Sequence, residues 1–268
     1  MDLGLQGKTA LVCGASRGLG YACASALVAE GVDAVIVARE PRALDQAAHT
    51  LNEQGAGRVI AVAADIAAEE GRVRALAAAR ELRDAAADAG FDIVVTNAGG
   101  PPAGNFRDWS TEDWMRALNV NMLSAIELMR ATIDGMIARG FGRIVNITST
   151  AVKAPSSYLG LSNGARCGLT GFVAGVAREV APHGVTINNL LPGTFDTARL
   201  AANFQAVADR DGVPVESIRD KRREASATRR FGTPEEFGAM CAFMCSVHAG
   251  YLNAQNILLD GGTYPGTF

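Results

Sequence analysis

The sequence is short of lysine: Lys8, Lys153 and Lys221 are the only three in 268 residues, so arginine carries most of the positive charge. Charged side chains make up 20% of the chain, and the formal net charge is −3. A general nucleic-acid binder needs a basic excess, which is missing here. A hydrophobic fraction of 49% with so little net charge excludes an intrinsically disordered chain.

Signals for a membrane, for secretion or for a metal are also missing. No uninterrupted apolar run approaches the roughly 18 residues that span a bilayer, and the amino-terminal stretch lacks the basic start of a secretory signal. The five cysteines form no CxxC pair, and the three histidines are scattered. We therefore expect a cytoplasmic protein with reduced thiols, no membrane partner and no metal.

What the sequence does contain is a regular alternation of short β-rich runs with longer helical stretches. Val, Ile and Leu dominate the runs, as expected for strands covered on both faces. The predicted strands are residues 8–14, 33–39, 58–65, 91–100, 142–150, 184–193 and 253–262. Helices are predicted over 19–31, 41–55, 66–90, 111–139, from Ser156 or Ser157 to about His183, and over 233–247. Residues 194–230 show no clear pattern and are expected to close over the site as a mobile segment.

Strict βα alternation with short links predicts a parallel sheet with right-handed crossovers. No repeat, linker or low-complexity tract divides the chain. The predicted fold class is therefore α/β, a single Rossmann-fold domain over residues 1–268. It has a doubly wound, seven-stranded parallel sheet with helices on both faces.

A glycine-rich turn joins the first strand to the first helix. In CGASRGLG, Gly14, Gly18 and Gly20 give the spacing GxxxGxG, and Ser16 adds a hydroxyl. Glycines are needed there because a dinucleotide pyrophosphate packs on bare backbone at a helix N-terminus, where unpaired N–H groups and the helix dipole favour an anion. The turn therefore predicts a phosphate-binding site.

This turn resembles the TGxxxGxG turn of the short-chain dehydrogenase/reductase family, with Cys13 in place of the threonine. TNAG at 96–99 is similar to the family's NNAG signature, and LDGG at 259–262 resembles its C-terminal strand and turn. The resemblance covers essentially the whole chain. It implies that the following residues bind the cofactor: Gly14, Ser16, Arg17, Gly18, Leu19, Gly20, Arg39, Asp65, Ile66, Asn97, Ala98, Gly99, Arg166, Pro192, Gly193 and Thr197.

The end of the second strand indicates which nicotinamide cofactor binds. NAD-specific sites place an acid there for the ribose 2′-hydroxyl, whereas NADP sites offer arginine to the 2′-phosphate. This chain has Ala38 followed by Arg39, and Arg17 in the glycine turn can reach the same pocket. Two guanidiniums suit a dianionic phosphate, so we predict NADP. NAD is the alternative, because Glu40 can instead bind ribose hydroxyls.

The catalytic pattern of the family is only partly present. The resemblance implies a tetrad of Asn, Ser, Tyr and Lys, in which tyrosine donates the proton and lysine lowers its pKa and holds the ribose. Asn121 and Ser149 fall at the first two positions, but Ser162 and Arg166 stand at the other two, and no YxxxK occurs anywhere. The chain is therefore similar to a divergent subgroup of β-ketoacyl carrier-protein reductases.

Ser162 and Arg166 still share one helix face at the i, i+4 spacing. Arginine stabilises an oxyanion by charge but is a poor proton donor, and serine is a weaker acid than tyrosine. Two alternatives follow. Either catalysis depends on electrostatic stabilisation together with a water, or Ser162 and Arg166 only pack or contact the ribose. Tyr158 lies one turn before Ser162 and is expected to contribute to the pocket, with its ring leaning away from Ser162.

These patterns predict an NADP(H)-dependent oxidoreductase that acts on a carbonyl or secondary alcohol. The predicted catalytic residues are Asn121, Ser149, Ser162 and Arg166. The rival hypotheses are an NADP(H)-binding pseudoenzyme or sensor, and an interaction protein with a degenerate cofactor site, which the intact glycine turn disfavours. In the family, the helices after residues 111 and 156 form a two-fold interface, so the resemblance implies a homodimer or homotetramer.

Overall fold

The computed structural model describes residues 1–82 and 90–267. Seven strands of this part form one sheet: β1 (Thr9–Cys13), β2 (Asp33–Ala38), β3 (Val59–Ala63), β4 (Ile93–Thr96), β5 (Gly142–Ile147), β6 (Val185–Pro192) and β7 (Asn256–Leu259). Every pair is parallel, and the order is β3-β2-β1-β4-β5-β6-β7. The predicted Rossmann α/β fold class is confirmed.

Helices cover both faces of the sheet. The first helices are α1 (Gly18–Ala29), α2 (Pro41–Gln54), α3 (Glu69–Ala77), α4 (Ala79–Leu82), α5 (Thr111–Leu118) and α6 (Ser124–Arg139). They are followed by α7 (Gly160–Val180), α8 (Ala198–Asp211), α9 (Val215–Glu224) and α10 (Pro234–Cys245). None of the described helices has the length and apolar character needed to cross a membrane.

The sheet separates two hydrophobic cores, because alternate side chains of a strand point to opposite faces. In β1, Val12 joins the core under α1, α2 and α10, whereas its neighbour Leu11 joins the core under α6 and α7. Both side chains are fully buried. The near-continuous apolar runs in the sequence have this cause.

Three predicted helices differ from the structure. The helix predicted over 66–90 begins at Glu69 and breaks at Ala78, and the predicted residues 83–89 lie outside the described part. The helix predicted from residue 156 is a short 3-10 turn, Ser157–Leu159, before α7 begins at Gly160, and a second turn, Ala181–His183, follows α7. The break at Ala78 divides the helix predicted over 66–90, whereas the turns before and after α7 lie at its ends, where a tighter turn satisfies the terminal backbone groups.

The predicted continuous helix over 111–139 is interrupted. Ser110 caps α5 with a capping box to Asp113, but a π-helical segment, Asn119–Leu123, separates α5 from α6. One extra residue in a turn shifts the face on which the following side chains lie, and such segments occur often at functional sites. Asn121 lies in the middle of this segment.

Residues 194–230, which showed no clear pattern, contain α8 and α9. Thr197 caps α8 through its hydroxyl, which accepts a hydrogen bond from the Leu200 amide at 3.3 Å. This cap fixes the start of α8 at the carboxyl edge of the sheet, close to the β1 turn: Thr197 Cγ2 lies 3.8 Å from the point where a Cβ would stand on Gly18.

Candidate active site

A cleft of about 1000 Å³ opens at the carboxyl ends of the strands. It lies beside the point where the chain order reverses, since β1 pairs with β2 on one side and with β4 on the other. Crevices at such points are where open α/β sheets bind ligands. Gly14 after β1 and Asn97 after β4 meet there, and Asn97 Nδ2 donates to the Gly14 carbonyl at 3.4 Å.

The turn after β1 has a backbone that only glycine accommodates. Gly14 and Gly18 have φ values of +61° and +62°, in the left-handed region. A Cβ on Gly20 would stand 2.3 Å from the Gly14 carbonyl oxygen. No side chain caps the N-terminus of α1, so its first amide groups are left for a ligand. This cradle fits the pyrophosphate of a dinucleotide.

Two arginines border the cleft at the end of β2. Arg17 and Arg39 are both exposed and line the cleft, and within the described residues neither forms an ion pair. Glu40 also lines it, but both of its carboxylate oxygens cap α2: they accept hydrogen bonds from the amides of Arg42 at 3.0 Å and Ala43 at 2.6 Å. Glu40, the acid that could have contacted the ribose, is thus held by the amides of α2.

Most of the residues predicted to bind the cofactor line this cleft. They are Gly14, Ser16, Arg17, Gly18, Leu19, Arg39, Asp65, Ile66, Asn97, Ala98, Gly99 and Thr197. Gly20, Arg166, Pro192 and Gly193 do not line it. Gly20 packs against the Gly14 carbonyl within the turn. Gly193 lies so close to Asp260 that a Cβ on Gly193 would stand 2.6 Å from the Asp260 Cα.

Arg166 borders a small pocket that adjoins the cleft. Its Nε donates to the Ser162 hydroxyl at 3.2 Å, and its Nη1 donates to the carbonyls of Ile147 at 3.0 Å and Thr148 at 2.5 Å. Arg166 is 8% exposed and shares this pocket with Asn97 and Asn121. The predicted i, i+4 pair is therefore formed, with the guanidinium anchored on the end of β5.

Burial, and secondly the charge of Arg199, lower the pKa of Arg166 to about 10. This value is still far above neutral pH, so the guanidinium keeps its positive charge where an oxyanion can be stabilised.

Asn121 lines both the cleft and the smaller pocket. Its Nδ2 donates to the Ala117 carbonyl at 3.4 Å, while its Oδ1 is buried and has no partner within the described residues. A buried polar atom without a partner is costly, and such atoms are often completed by a water or a ligand. Asn121 is thus available to position a bound group.

The two predicted catalytic serines do not line the cleft. Ser162 is buried against Arg166, and Ser149 Oγ accepts a hydrogen bond from the Ala151 amide at 3.1 Å, which caps a short 3-10 turn. Tyr158, which is expected from the sequence to contribute to the pocket, is 67% exposed and does not line the cleft, because it lies in the 3-10 turn before α7. Gly100 and the two prolines after it do line the cleft.

Comparison with known proteins agrees with this site. The model of the short chain dehydrogenase family matches residues 8–208. The chain is 31% identical over 266 residues to the 3-oxoacyl-[acyl-carrier-protein] reductase of Aquifex aeolicus, covering 98% of this chain and all of that protein. It is also 31% identical to rat dehydrogenase/reductase SDR family member 4, over 97% of this chain and 88% of that one.

The chain belongs to the short-chain dehydrogenase/reductase family.

Among solved structures, L-sorbose reductase from Gluconobacter frateurii, complexed with NADPH and L-sorbose, superposes with a TM-score of 0.92 at 30% identity, over 99% of this chain and all of that chain. The match of a family model to three quarters of the chain shows that this is a member of a family of oxidoreductases.

Sequence reasoning missed one residue of this short-chain dehydrogenase/reductase site. Arg199, the second residue of α8, lines the cleft, and its Nη2 donates to the Gly100 carbonyl at 3.5 Å. No motif contains it, and it falls in the segment that showed no clear pattern. Its position follows from the Thr197 cap, which points the first turn of α8 over the cleft.

Proposed function

We propose that this protein is an NADP(H)-dependent oxidoreductase that interconverts a carbonyl compound and the corresponding secondary alcohol. The observation that carries the proposal is that a cleft with a backbone cradle for a dinucleotide adjoins a small pocket bordered by the buried Arg166, and that Asn121 lines both. NADPH in the Gluconobacter frateurii L-sorbose reductase complex supports the choice of cofactor.

When bound, NADPH supplies the hydride. Gly14, Gly18 and Gly20 keep the backbone clear for the pyrophosphate, and Arg17 and Arg39 offer two positive charges to the 2′-phosphate. Because Glu40 is held by the amides of α2, it is not positioned as the acid of an NAD site. Asp65, Ile66 and the 97–99 stretch form the wall along which the dinucleotide lies.

At the reactive end, Arg166 stabilises the negative charge that develops on the substrate oxygen as hydride arrives. Asn121 positions the substrate or a water beside it through its unpartnered Oδ1. With no tyrosine at this place, the proton comes from water, and Ser162 acts by orienting Arg166. Ser149 stabilises the turn after β5 and remains a candidate for a contact with the substrate.

The proposal is tested by titrating the protein with NADPH and NADH in a calorimeter, and then following NADPH oxidation with a panel of aldehydes, ketones, hydroxyketones and oxo acids. We expect NADPH to bind at least tenfold more tightly than NADH, about 1.4 kcal/mol, and one or more compounds to be reduced. Equal affinities would contradict the cofactor assignment, and tight binding without any turnover would contradict the activity.

We also propose a homodimer or homotetramer. On α7, Gly164 and Gly168 lie against Trp114 and Met122, whereas Gly171 and Gly175 have nothing within 4 Å of where a Cβ would stand. The outer surface formed by α5, α6 and α7 therefore keeps small and apolar groups, including exposed Met115 and Leu123.

Light scattering after gel filtration tests the assembly. A mass of about two or four times the 27.9 kDa chain is expected. A mass near that of the single chain at micromolar concentration would show that this apolar surface is not an interface.

A further inference from the structure

Two guanidinium groups meet at the reactive end of the cleft. The Nη2 atoms of Arg199 and Arg166 lie 2.9 Å and 3.6 Å from the point where a Cβ would stand on Gly100. The two side chains come from different elements, since Arg199 opens α8 and Arg166 lies in the middle of α7. They converge over the loop that follows β4, next to the place proposed for the substrate.

Among the described residues, neither guanidinium has a counter-ion. Arg166 donates to a hydroxyl and two carbonyls, and Arg199 donates only to the Gly100 carbonyl, all of them neutral acceptors. Within residues 1–82 and 90–267, no carboxylate lies within 4.0 Å of either one. Two positive charges this close repel each other, and the repulsion is strong where one of them is buried. An anion placed beside them would relieve it.

The other arginine in this part of the cleft shows the contrast. Arg116 also lines the cleft, but it already pairs with Asp113 at 3.5 Å and is 74% exposed. Of the acids that line the cleft, Asp113 is thus engaged, Glu40 caps α2 at the far end, and Asp65 accepts a hydrogen bond from the Ala67 amide at 3.0 Å. Arg116 thus has a carboxylate partner, whereas within the described residues Arg199 has none.

The pyrophosphate is not the anion that Arg199 is placed to meet. The first turn of α8 spans the cleft, and its two functional residues face different ends. Thr197 Cγ2 lies 3.8 Å from where a Cβ would stand on Gly18, in the phosphate cradle, whereas Arg199 lies against Gly100 and Arg166. A group held by Arg199 is therefore close to the reacting carbon rather than to the phosphates.

We propose that the substrate carries a carboxylate that Arg199 binds, so that the protein acts on an oxo acid or the corresponding hydroxy acid. This inference rests on the proposed oxidoreductase function and names its substrate class. A carboxylate matches the planar fork of an arginine with two parallel hydrogen bonds. Its single negative charge balances Arg199, which leaves Arg166 for the carbonyl oxygen.

The first test measures binding without turnover. The protein–NADPH complex is titrated with oxamate, an unreactive carboxylate, and with oxamide, its neutral counterpart. We expect oxamate to bind at least tenfold more tightly, and Arg199→Gln to remove the difference while leaving the affinity for NADPH unchanged. Arg116→Gln, a matched control in the same cleft, should bind oxamate like the wild type.

The second test measures turnover of short 2-oxo and 3-oxo acids against their methyl esters. The acids should be reduced with kcat/KM roughly tenfold to a hundredfold higher, and Arg199→Gln should abolish this preference. Arg199→Lys, which keeps the charge but loses the fork, should retain part of it.

The outcomes separate the two proposals. If oxamate binds through Arg199 but no compound is reduced, the oxidoreductase function is contradicted and the anion site stands. Reduction of esters as well as acids would keep the function and overturn the site. A loss of NADPH affinity in Arg199→Gln would overturn it too, because the arginine would then serve the cofactor. Tighter binding of inorganic phosphate than of oxamate would replace the carboxylate by a phosphate.

Discussion

The two ends of the cleft differ in the part of the chain that forms them, which is backbone at one end and side chains at the other. At the phosphate end, the ligand cradle is backbone, and its shape depends on glycines with left-handed φ and on the close contact of Gly20 with the Gly14 carbonyl. At the reactive end, the chemistry depends on side chains, with Arg166 anchored by three hydrogen bonds and Asn121 beside it.

This difference explains why the chain keeps one family signature and departs from another. A side chain on Gly20 would collide with the main chain of Gly14, which cannot move without distorting the turn between β1 and α1. At the reactive end, a different side chain can serve if it supplies a positive charge at the same place. Arg166 does so in a position where the family resemblance implies lysine.

The largest effect is expected from Gly20→Ala. Its methyl group would stand 2.3 Å from the Gly14 carbonyl oxygen, so the turn must shift and its amides lose their alignment with the phosphates. Loss of two or more charge-assisted hydrogen bonds predicts an NADPH affinity lower by roughly a thousandfold. Calorimetric titration measures it, and circular dichroism checks that the variant is folded.

Gly250→Ala is the matched control for this variant. Gly250 has an ordinary φ of −60°, lies outside the cleft, and a Cβ there would make only normal contacts at 3.5 Å or more. It should bind NADPH like the wild type. If Gly20→Ala also binds normally, the backbone cradle is not what holds the cofactor, and the contrast between the two ends fails.

The second effect is on the reactive end. Arg166→Ala should lower kcat/KM by about 100-fold, the scale of losing one oriented electrostatic group. Tyr158→Phe should cost little, because this ring is exposed and outside the cleft. Steady-state kinetics with the best compound of the panel measures both. The reverse pattern would make Tyr158 the centre of the site.

The charge of Arg166 also predicts a pH dependence. Its pKa is lowered to about 10, so the charge is present at neutral pH and is lost as the pH rises through that value. The contribution of Arg166 to the wild-type rate should therefore be lost only at about pH 10. Arg166→Lys should preserve part of the rate below that pH. A loss of rate in the wild type near neutral pH would point to another group.

The same contrast decides how much the sequence predicts. The seven strands and the glycine turn follow from local rules: apolar runs for buried strands, and glycine spacing for a bare backbone. The π-helical segment at Asn119–Leu123 has no such local signal in the sequence. Helix α9 was missed because it buries no residue and so has no apolar face to recognise.

The reactive end is predictable in its residues but not in its contacts. The spacing of Ser162 and Arg166 places them on one face of α7, and their hydrogen bond confirms that pairing. Arg199 could not be found in this way, since it approaches Arg166 only through the placement of α8 over the cleft. Side chains that meet across elements far apart in the sequence carry no common spacing.

The smallest effect is expected at the edge of the phosphate end, where a side chain rather than the backbone meets the ligand. Arg39 is exposed at the end of β2 and has no ion pair within the described residues. Arg39→Ala should weaken NADPH binding about tenfold and leave NADH binding unchanged, because only NADPH has the 2′-phosphate. The difference in NADPH affinity between the wild type and Arg39→Ala should become smaller at high salt, because salt screens exposed charges. Arg42→Ala, on the neighbouring helix and outside the cleft, is the control. If Arg39→Ala weakens both cofactors equally, the arginine supports the turn and does not select the phosphate.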